Sequence, residues 1–425
     1  MVRTFEEIVS RLDKGEAIVL TAQEISELVE EGDESTLREV DVVTTATRGI
    51  MSGTYALLSF QVRAPRIFTK AERVLINGVP AFVGPCPNER LGILDLIIFG
   101  TAKSETDPTY GAGHLFQDLV RGKSVEVEVR TEDGYEFSDN VSLQDMAVAR
   151  LLASRNIFRN YHAFVNRSQT SVRSIFHARE FKPGLKEATF SGAGHISPLE
   201  NDPSLKYIGI GTRVLVNGSE GFVIGTGTRS TPDHPNLMMI SDMKGMNPEY
   251  MGGFKTSAGP ECIVSWAVPI AVIDDSIAMA IRKRDADIPL PIVDIFERKR
   301  ISLANYGEAW QNVDLAVKLD TEKCIDCVEC HAAIGCPMDA INFDIGKPRI
   351  DRKKCFNCGF CTTLCPQNVF RAKLGKIKLP DNGIEIPIVC RQTDRLRSLR
   401  LAEELKKRIL SNSFKITQKV ESLRI

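Results

Sequence analysis

The chain has 425 residues, with 54 Lys and Arg against 55 Asp and Glu, and 43% of it is hydrophobic. That size and composition suit an ordinary globular protein of two or three domains, with no apolar run near the roughly 18 residues of a membrane helix. The charged opening MVRTFEEIVSRLDKGEAIVL carries no export signal, so the expected location is the reducing cytoplasm, without membrane attachment or disulfides.

The near-neutral total hides an asymmetry. Residues 351–425 hold 17 basic against 7 acidic residues, leaving about −11 for the rest. A basic end beside an acidic body suits steering of an acidic redox partner or electron donor, although solvated helix faces are the plainer explanation. No aromatic-interleaved basic motif points to nucleic acid.

The opening segment reads as helix, strand, helix. Phe5–Leu12 has helical spacing, Ala17–Leu20 is a short apolar run, and Thr21-x-x-Glu24 is a capping box before a helix with Ile25, Leu28 and Val29 on one face. Val40–Val43 is a β-branched run entering Thr44-Thr45-Ala46-Thr47-Arg48-Gly49. A hydroxyl-rich, glycine-punctuated turn after a strand is a ligand-binding position in α/β proteins, which makes Thr45, Thr47, Gly49 and Ser52 candidate ligand or cofactor contacts.

An internal repeat follows. Arg73-Val-Leu-Ile-Asn77-Gly78 through Phe82-Val83 recurs 140 positions later as Arg213-Val-Leu-Val-Asn217-Gly218 through Phe222-Val223. At the same offset, Asp107-Pro108-Thr-Tyr110-Gly-Ala-Gly113 faces Asn247-Pro248-Glu-Tyr250-Met-Gly-Gly253. Each Asn-Gly step between β-rich flanks predicts a hairpin. Two similar halves, about 40–150 and 180–280, would bring the glycine turns at Thr44–Gly53 and Ser191–His195 together at a shared interface.

Three residues in these halves are candidate catalytic groups. Cys86, in Gly84-Pro85-Cys86-Pro87, sits in a turn where a positive neighbour would make its thiolate reactive. His114 and His195 each close a Gly-Ala-Gly-His tetrapeptide, a setting for acid–base chemistry or anion binding, or for a His that merely bonds its own turn. Ser191, Gly192 and Gly194 belong to the second of these turns. Cys262 and Cys390 lie in apolar runs and read as buried.

The stretch Ile288-Pro-Leu-Pro-Ile, followed by Glu297-Arg-Lys-Arg300, reads as the exit from a main domain. Beyond it lie eight of the chain's 11 cysteines, in two runs: Cys324-x2-Cys327-x2-Cys330-x5-Cys336-Pro337 and Cys355-x2-Cys358-x2-Cys361-x3-Cys365-Pro366. The second has the spacing of a bacterial ferredoxin run, in which three thiolates hold one cubane and the fourth ligates the other cluster. Two such runs predict two [4Fe–4S] clusters with exchanged fourth ligands. One would take Cys324, Cys327, Cys330 and Cys365, the other Cys355, Cys358, Cys361 and Cys336. Zinc is disfavoured, because its thiolates come as separated pairs. Arg395–Leu410 then has helical spacing.

The expected class is α+β: a mixed α/β main domain (1–300) with two pseudo-repeated β-rich halves, then a C-terminal two-[4Fe–4S] ferredoxin-like domain (313–376) and a basic C-terminal strand and helix (377–425).

At Thr44–Gly49, the Asn77-Gly78 hairpin, Tyr110-Gly-Ala-Gly-His114, Ser191-Gly-Ala-Gly194 and Gly209-Ile-Gly211-Thr-Arg213, the chain resembles the homocysteine-biosynthesis family. The resemblance covers about residues 1–295. It implies reductive sulfur insertion of the L-aspartate semialdehyde sulfurtransferase kind, with electrons from an iron–sulfur protein; a small anionic metabolite is the expected ligand of the Thr44–Gly53, His114 and Ser191–His195 turns. The fused cysteine runs resemble the methanogenesis marker 16 metalloprotein branch, which leaves maturation of a metallocofactor and simple electron relay as alternatives. The sulfurtransferases carry a cysteine soon after the Thr-Thr-Ala-Thr segment and another after the Val-Glu-Val-Glu strand. Here those places read Met51-Ser52 and Asp133-Gly134-Tyr135. A relay on those thiols is absent, and Cys86 is the candidate replacement.

Overall fold

The computed structural model describes residues 3–84, 90–155, 160–343, 347–379 and 383–425. The opening elements match their sequence signals. Helix Phe5–Lys14 starts at a Thr4/Glu7 capping box and helix Ala22–Glu31 at the Thr21/Glu24 box, and each ends at a left-handed glycine.

Strands dominate. In chain order they run β1 (Val19–Thr21), β2 (Val42–Ile50), β3 (Thr54–Gln61), β4 (Ala71–Ile76), β5 (Val79–Val83), β6 (Ile93–Phe99), β7 (Val125–Thr131), β8 (Glu136–Val141) and β9 (Met146–Ala153). After β10 (Ala163–Val165) and β11 (Ala188–Phe190) come β12 (Arg213–Val216), β13 (Ser219–Thr226), β14 (Leu237–Asp242), β15 (Gly252–Thr256) and β16 (Gly259–Ala271). The hairpin β17 (Pro289–Asp294) and β18 (Arg300–Asn305) follows. The cysteine-bearing segment adds β19 (Lys318–Leu319), β20 (Ile341–Asn342), β21 (Arg349–Ile350) and β22 (Phe370–Arg371), before β23 (Lys376–Lys378) and β24 (Glu385–Arg391). The architecture is mixed α/β, with several sheets and few helices.

Among the described residues the largest sheet has fourteen strands, and its order is close to a palindrome. From one side it reads β7-β4-β5-β6-β3, and from the other β16-β12-β13-β14-β9, meeting where β3 pairs with β9. The two Asn-Gly hairpins occupy mirror positions. Each Asn has positive φ (48° at Asn77, 50° at Asn217), followed by a glycine with positive φ, as a type I′ turn requires. Each carboxamide also accepts from the neighbouring strand, from Glu126 N at 2.9 Å and from Ser265 N at 2.9 Å. A hairpin turn tied to the adjacent strand by its own side chain fixes register at both sites.

Two sequence expectations need correction. Thr44–Gly49 is no turn but the middle of β2, which pairs parallel with β1 and runs antiparallel to β16 from Val42 to Ile50. Threonine is a β-branched strand former, and here both strand edges are filled, so the hydroxyl-rich run extends the sheet. Likewise, Ile288-Pro-Leu-Pro-Ile is no exit. It belongs to β17, in a second sheet ordered β18-β17-β10-β11-β24-β23. Pro289 and Pro291 are tolerated because β10 begins pairing only at Ile292, so the missing N–H groups interrupt no ladder on that side. A boundary at 300 therefore falls inside the β17–β18 hairpin.

The cysteine segment is built from short pieces. β19 pairs with β22 and β20 with β21, each over two residues. The extra residues before Cys336 form one helical turn, His331–Ile334. The chain then returns to the main body. β24 lies parallel to β11, and helix Arg395–Leu410 packs on β2 and β16 through Leu401, Ala402, Leu405 and Ile409.

Part of the basic C-terminal segment turns inward, although most of its Lys and Arg side chains remain at the surface. Arg391, Arg395 and Arg397 are buried. Arg397 donates to the Lys353 carbonyl at 2.9 Å and to the Cys355 carbonyl, and Arg391 to the Asp314 carbonyl at 2.7 Å. Asp394 caps the helix and pairs with Arg48 of β2 at 2.9 Å and Arg397 at 2.8 Å, while Asn357 donates to its other oxygen at 3.2 Å. Asp394→Ala would leave two buried guanidinium groups without their carboxylate. The expected loss is roughly 3–5 kcal/mol, read as a lower denaturant midpoint.

Candidate functional site

A cavity of about 160 Å³ opens where β2 ends. Thr47, Gly49 and Ile50 of β2 and the turn residues Met51 and Ser52 form one wall, and Ser191–Ala193 with Gln392 and Thr393 form the wall opposite. The walls are bonded to each other where Ile50 N donates to the Gln392 carbonyl at 3.2 Å, and the second wall is held together by Gly192 N donating to Thr393 Oγ1 at 2.9 Å. Gly192 is required where it stands. It has φ of 132°, and a Cβ there would lie 2.2 Å from the Tyr306 hydroxyl.

The mouth carries positive charge. Arg155, Arg229 and Arg298 line it beside Tyr161 and Phe176. Burial lowers the Arg155 pKa, and the charges of Arg229 and Arg298 lower it further, so the three guanidinium groups act on one another. Arg298 lies over the Phe164 and Phe176 rings, at 5.1 and 4.7 Å from their centroids.

The sequence-predicted residues divide into two groups. Thr47, Gly49, Ser52, Ser191 and Gly192 line the cavity. Thr45 is buried within the sheet, its hydroxyl on the Val268 carbonyl at 3.3 Å. Gly194 lies behind the wall, its N–H donating to Asn160 Oδ1 at 3.0 Å. His114 is outside the cavity lining. Its Nδ1 accepts from Gly111 N at 3.2 Å, its ring stacks on Tyr110, and burial lowers its pKa to about 4. It bonds its own turn, the bland outcome. His195 also stands behind the wall, with Nδ1 3.0 Å from Asp285, whose other oxygen holds Arg395.

Cys86 falls outside the described residues.

The eight cysteines of the two runs form two groups. Cys324, Cys327, Cys330 and Cys365 line one apolar cavity together with Ile325, Val369 and Phe370. Cys336, Cys355, Cys358 and Cys361 are mutually close. Their pKa values are raised chiefly by burial and, at Cys358, by the Cys390 thiol, with the sulfur charges acting on one another. Backbone N–H groups of Ala340 and Asn357 donate to Cys336 and Cys355 sulfurs, each at 3.4 Å. Among the described residues no three such side chains converge on a single-ion position. The second group adjoins the first cavity: Ile50 packs with Cys358 and Cys390, and Arg391 N donates to the Cys358 carbonyl at 2.9 Å.

Residues 17–416 match the model of the homocysteine biosynthesis enzymes, described as sulfur-incorporation enzymes. The chain belongs to this family. The matched range runs through the cysteine segment, so the family likeness extends well beyond residue 295. An uncharacterized protein of Methanothermobacter thermautotrophicus is 44% identical over 97% of this chain and 94% of its own length. Another, of Methanocaldococcus jannaschii, is 42% identical over 94% and 98%. An L-aspartate semialdehyde sulfurtransferase of the latter organism is 34% identical, covering 76% of this chain and 66% of that one. No solved structure matches the chain.

Within this family member, the cavity residues that sequence reasoning missed are Arg155, Asn160, Arg229, Arg298 and the Gln392-Thr393 pair. Arg229 and Arg298 sit at positive φ, of 58° and 60°, in loops without motif, and Gln392 arrives from more than 300 residues away. No local pattern announces them.

The cluster behind the wall makes a pH prediction. Burial alone would raise Asp285, but the His195 hydrogen bond and the Arg395 charge outweigh it and hold the carboxyl at about 2, below 3.8. His195 is held below 6.5, by burial first. Both groups bind fewer protons folded than unfolded, so stability falls as pH falls, below 6.5 for His195 and between 3.8 and about 2 for Asp285. Asp285→Asn is expected to remove the acid-side slope, about 2 kcal/mol across that window, in denaturant titrations at stepped pH.

Proposed function

We propose that this protein reduces a small anionic carbonyl metabolite of the aspartate semialdehyde kind with incorporation of sulfur, drawing electrons from its own cysteine segment. One observation carries this reading: a cavity with three arginines at its mouth is backed by the Cys358–Cys390 core. Membership of a sulfur-incorporation family supports the chemistry, and the sulfurtransferase relatives support the substrate class.

The donor set suits two [4Fe–4S] clusters. Two groups of four thiols, each drawing its fourth member from the other run, lie in apolar surroundings with backbone N–H groups aimed at sulfur. Such clusters supply single electrons at low potential. The protein's own groups would do the rest. Arg155, Arg229 and Arg298 would hold the substrate carboxylate, and the Ser191–Ala193 wall and Ser52 would position the carbonyl. Arg391 and Gln392 join the Cys358 loop to the cavity wall, a short path for electrons.

The chemistry balances as one aldehyde, one hydrogen sulfide, two electrons and two protons giving one thiol and one water. Two one-electron centres match that demand. Met51-Ser52, where the sulfurtransferases carry a cysteine, is in the cavity lining, so sulfur would arrive as free sulfide and not on that thiol.

Anaerobically prepared protein is expected to hold about eight iron and eight sulfide per chain, and Cys336→Ser to impair the centre held by Cys355, Cys358 and Cys361. Iron near four, or zinc in its place, would sink the two-cluster reading. Given aspartate semialdehyde, sulfide and a low-potential reductant, it is expected to form homocysteine. Arg298→Ala should raise KM about tenfold or more with a smaller change in kcat, since a charge-assisted contact contributes roughly 1.5–3 kcal/mol. Cys86→Ala should leave formation intact. Absence of homocysteine under all conditions would instead favour cofactor maturation or electron relay.

A further inference from the structure

Glu261 is the unexplained group of this site. It lies on β16 opposite Phe254 of β15, two residues before Ile263, which faces Ile50 of β2. Directly paired residues share a face of the sheet, as do positions two apart, so Glu261, Ile263 and Ile50 point the same way. Ile50 lines the cavity. Glu261 is therefore set just past the end of β2, beneath the Met51-Ser52 turn, whose Met51 N–H donates to the Cys262 carbonyl at 2.7 Å.

The carboxyl is in an unusual state. The residue is 5% exposed, and its Oε2 has no hydrogen-bond partner. Burial pushes its pKa up to about 7, and the Ser52 hydroxyl is the single group that stabilises the charged form. Across the ladder stands Phe254, which is apolar. Lys255, the next residue on β15, is engaged by Asp339 at 2.7 Å. Cys262 points to the opposite face and is itself held neutral, its pKa pushed up to about 12 by burial. A buried carboxyl with one oxygen unpartnered and no cation beside it is a poor stabiliser of the fold. The desolvation it suffers costs stability.

We infer that Glu261 is the proton reservoir of the cavity and that Ser52 is the hydroxyl through which its proton reaches the bound ligand. In the step, the Ser52 O–H donates its proton to a basic atom of the ligand while the Glu261 carboxylic acid donates its own to Ser52 Oγ. Serine is regenerated, Glu261 becomes carboxylate, the ligand gains one proton, and solvent later returns one to Glu261. Glu261 acts through Ser52 and is a positioning and relay residue. The inference deepens the proposed function by supplying one of the two protons that reduction consumes, and it rests on that reading for the ligand alone.

The test uses the full anaerobic holoprotein and two readouts. In infrared difference spectra, a protonated-carboxyl band is expected to titrate near neutral pH, to exchange promptly in D2O, and to be absent from Glu261→Gln. In Ser52→Ala the band should persist, shifted, with exchange at least tenfold slower. A band that does not titrate, or that exchanges at the same rate without Ser52, would overturn the relay. In the homocysteine assay, the rate should fall as pH rises through about 7. Glu261→Gln should lose roughly a hundredfold with a flat profile in that range, and Glu261→Asp should restore part of the pH dependence. An unchanged profile in Glu261→Gln would also overturn it. If the band behaves as described while no homocysteine forms, the sulfur-insertion reading fails and the relay stands.

Discussion

The arrangement depends on one buried carboxylate. Asp394 caps the last long helix, neutralises Arg48 in the middle of β2, and holds both Arg397 and Asn357. It thereby ties together the strand that ends at the cavity, the helix that covers that strand, and the loop that carries Cys355 and Cys358. A buried ion pair adds little net stability compared with apolar packing, but it is unforgiving of misplacement. Here that intolerance sets the position of a sulfur-rich segment of short two-residue ladders against a large, rigid sheet. Burial lowers the Arg48 pKa to about 10, yet leaves it cationic at neutral pH, so the lock stays closed under ordinary conditions.

What the sequence made legible follows from the range of the signals. Capping boxes and Asn-Gly turns are local, and each corresponds to what the chain forms there. The turn assigned to Thr44–Gly49 failed for the opposite reason. A threonine-rich segment has no fixed meaning until its neighbours are known, and β1 and β16 are supplied from elsewhere in the chain. The same holds for His114. The sequence left it open between acid–base chemistry and bonding its own turn, and the packing that buries its ring against Gly253 comes from a distant strand.

The cavity was half legible. Its small-residue wall came from motifs, because glycines at close approaches leave a visible trace. Its arginines did not, because a guanidinium at the mouth needs only a loop of suitable length and no pattern. The three buried arginines of the C-terminal segment show what a charge count does not reveal. A surplus of ten positive charges suggests a docking surface, yet Arg391 and Arg397 spend their donors on the carbonyls of the cysteine segment. Guanidinium groups suit this, since each presents several fixed donors and remains charged when buried.

The two sides of the cavity are opposite electrostatic environments. Toward solvent, three arginines favour an anion. Toward the protein interior, Phe254, Ile263 and Phe356 enclose the thiols and leave Glu261 without a cation. Low polarity on that side raises the cost of every uncompensated charge, so an electron arriving from the interior would favour arrival of a proton with it. A carboxyl that burial keeps half-protonated near neutrality, next to a hydroxyl in the cavity wall, is where that proton is most cheaply held. The same dehydration that makes Glu261 costly to the fold is what makes it able to give a proton up and take one back at physiological pH.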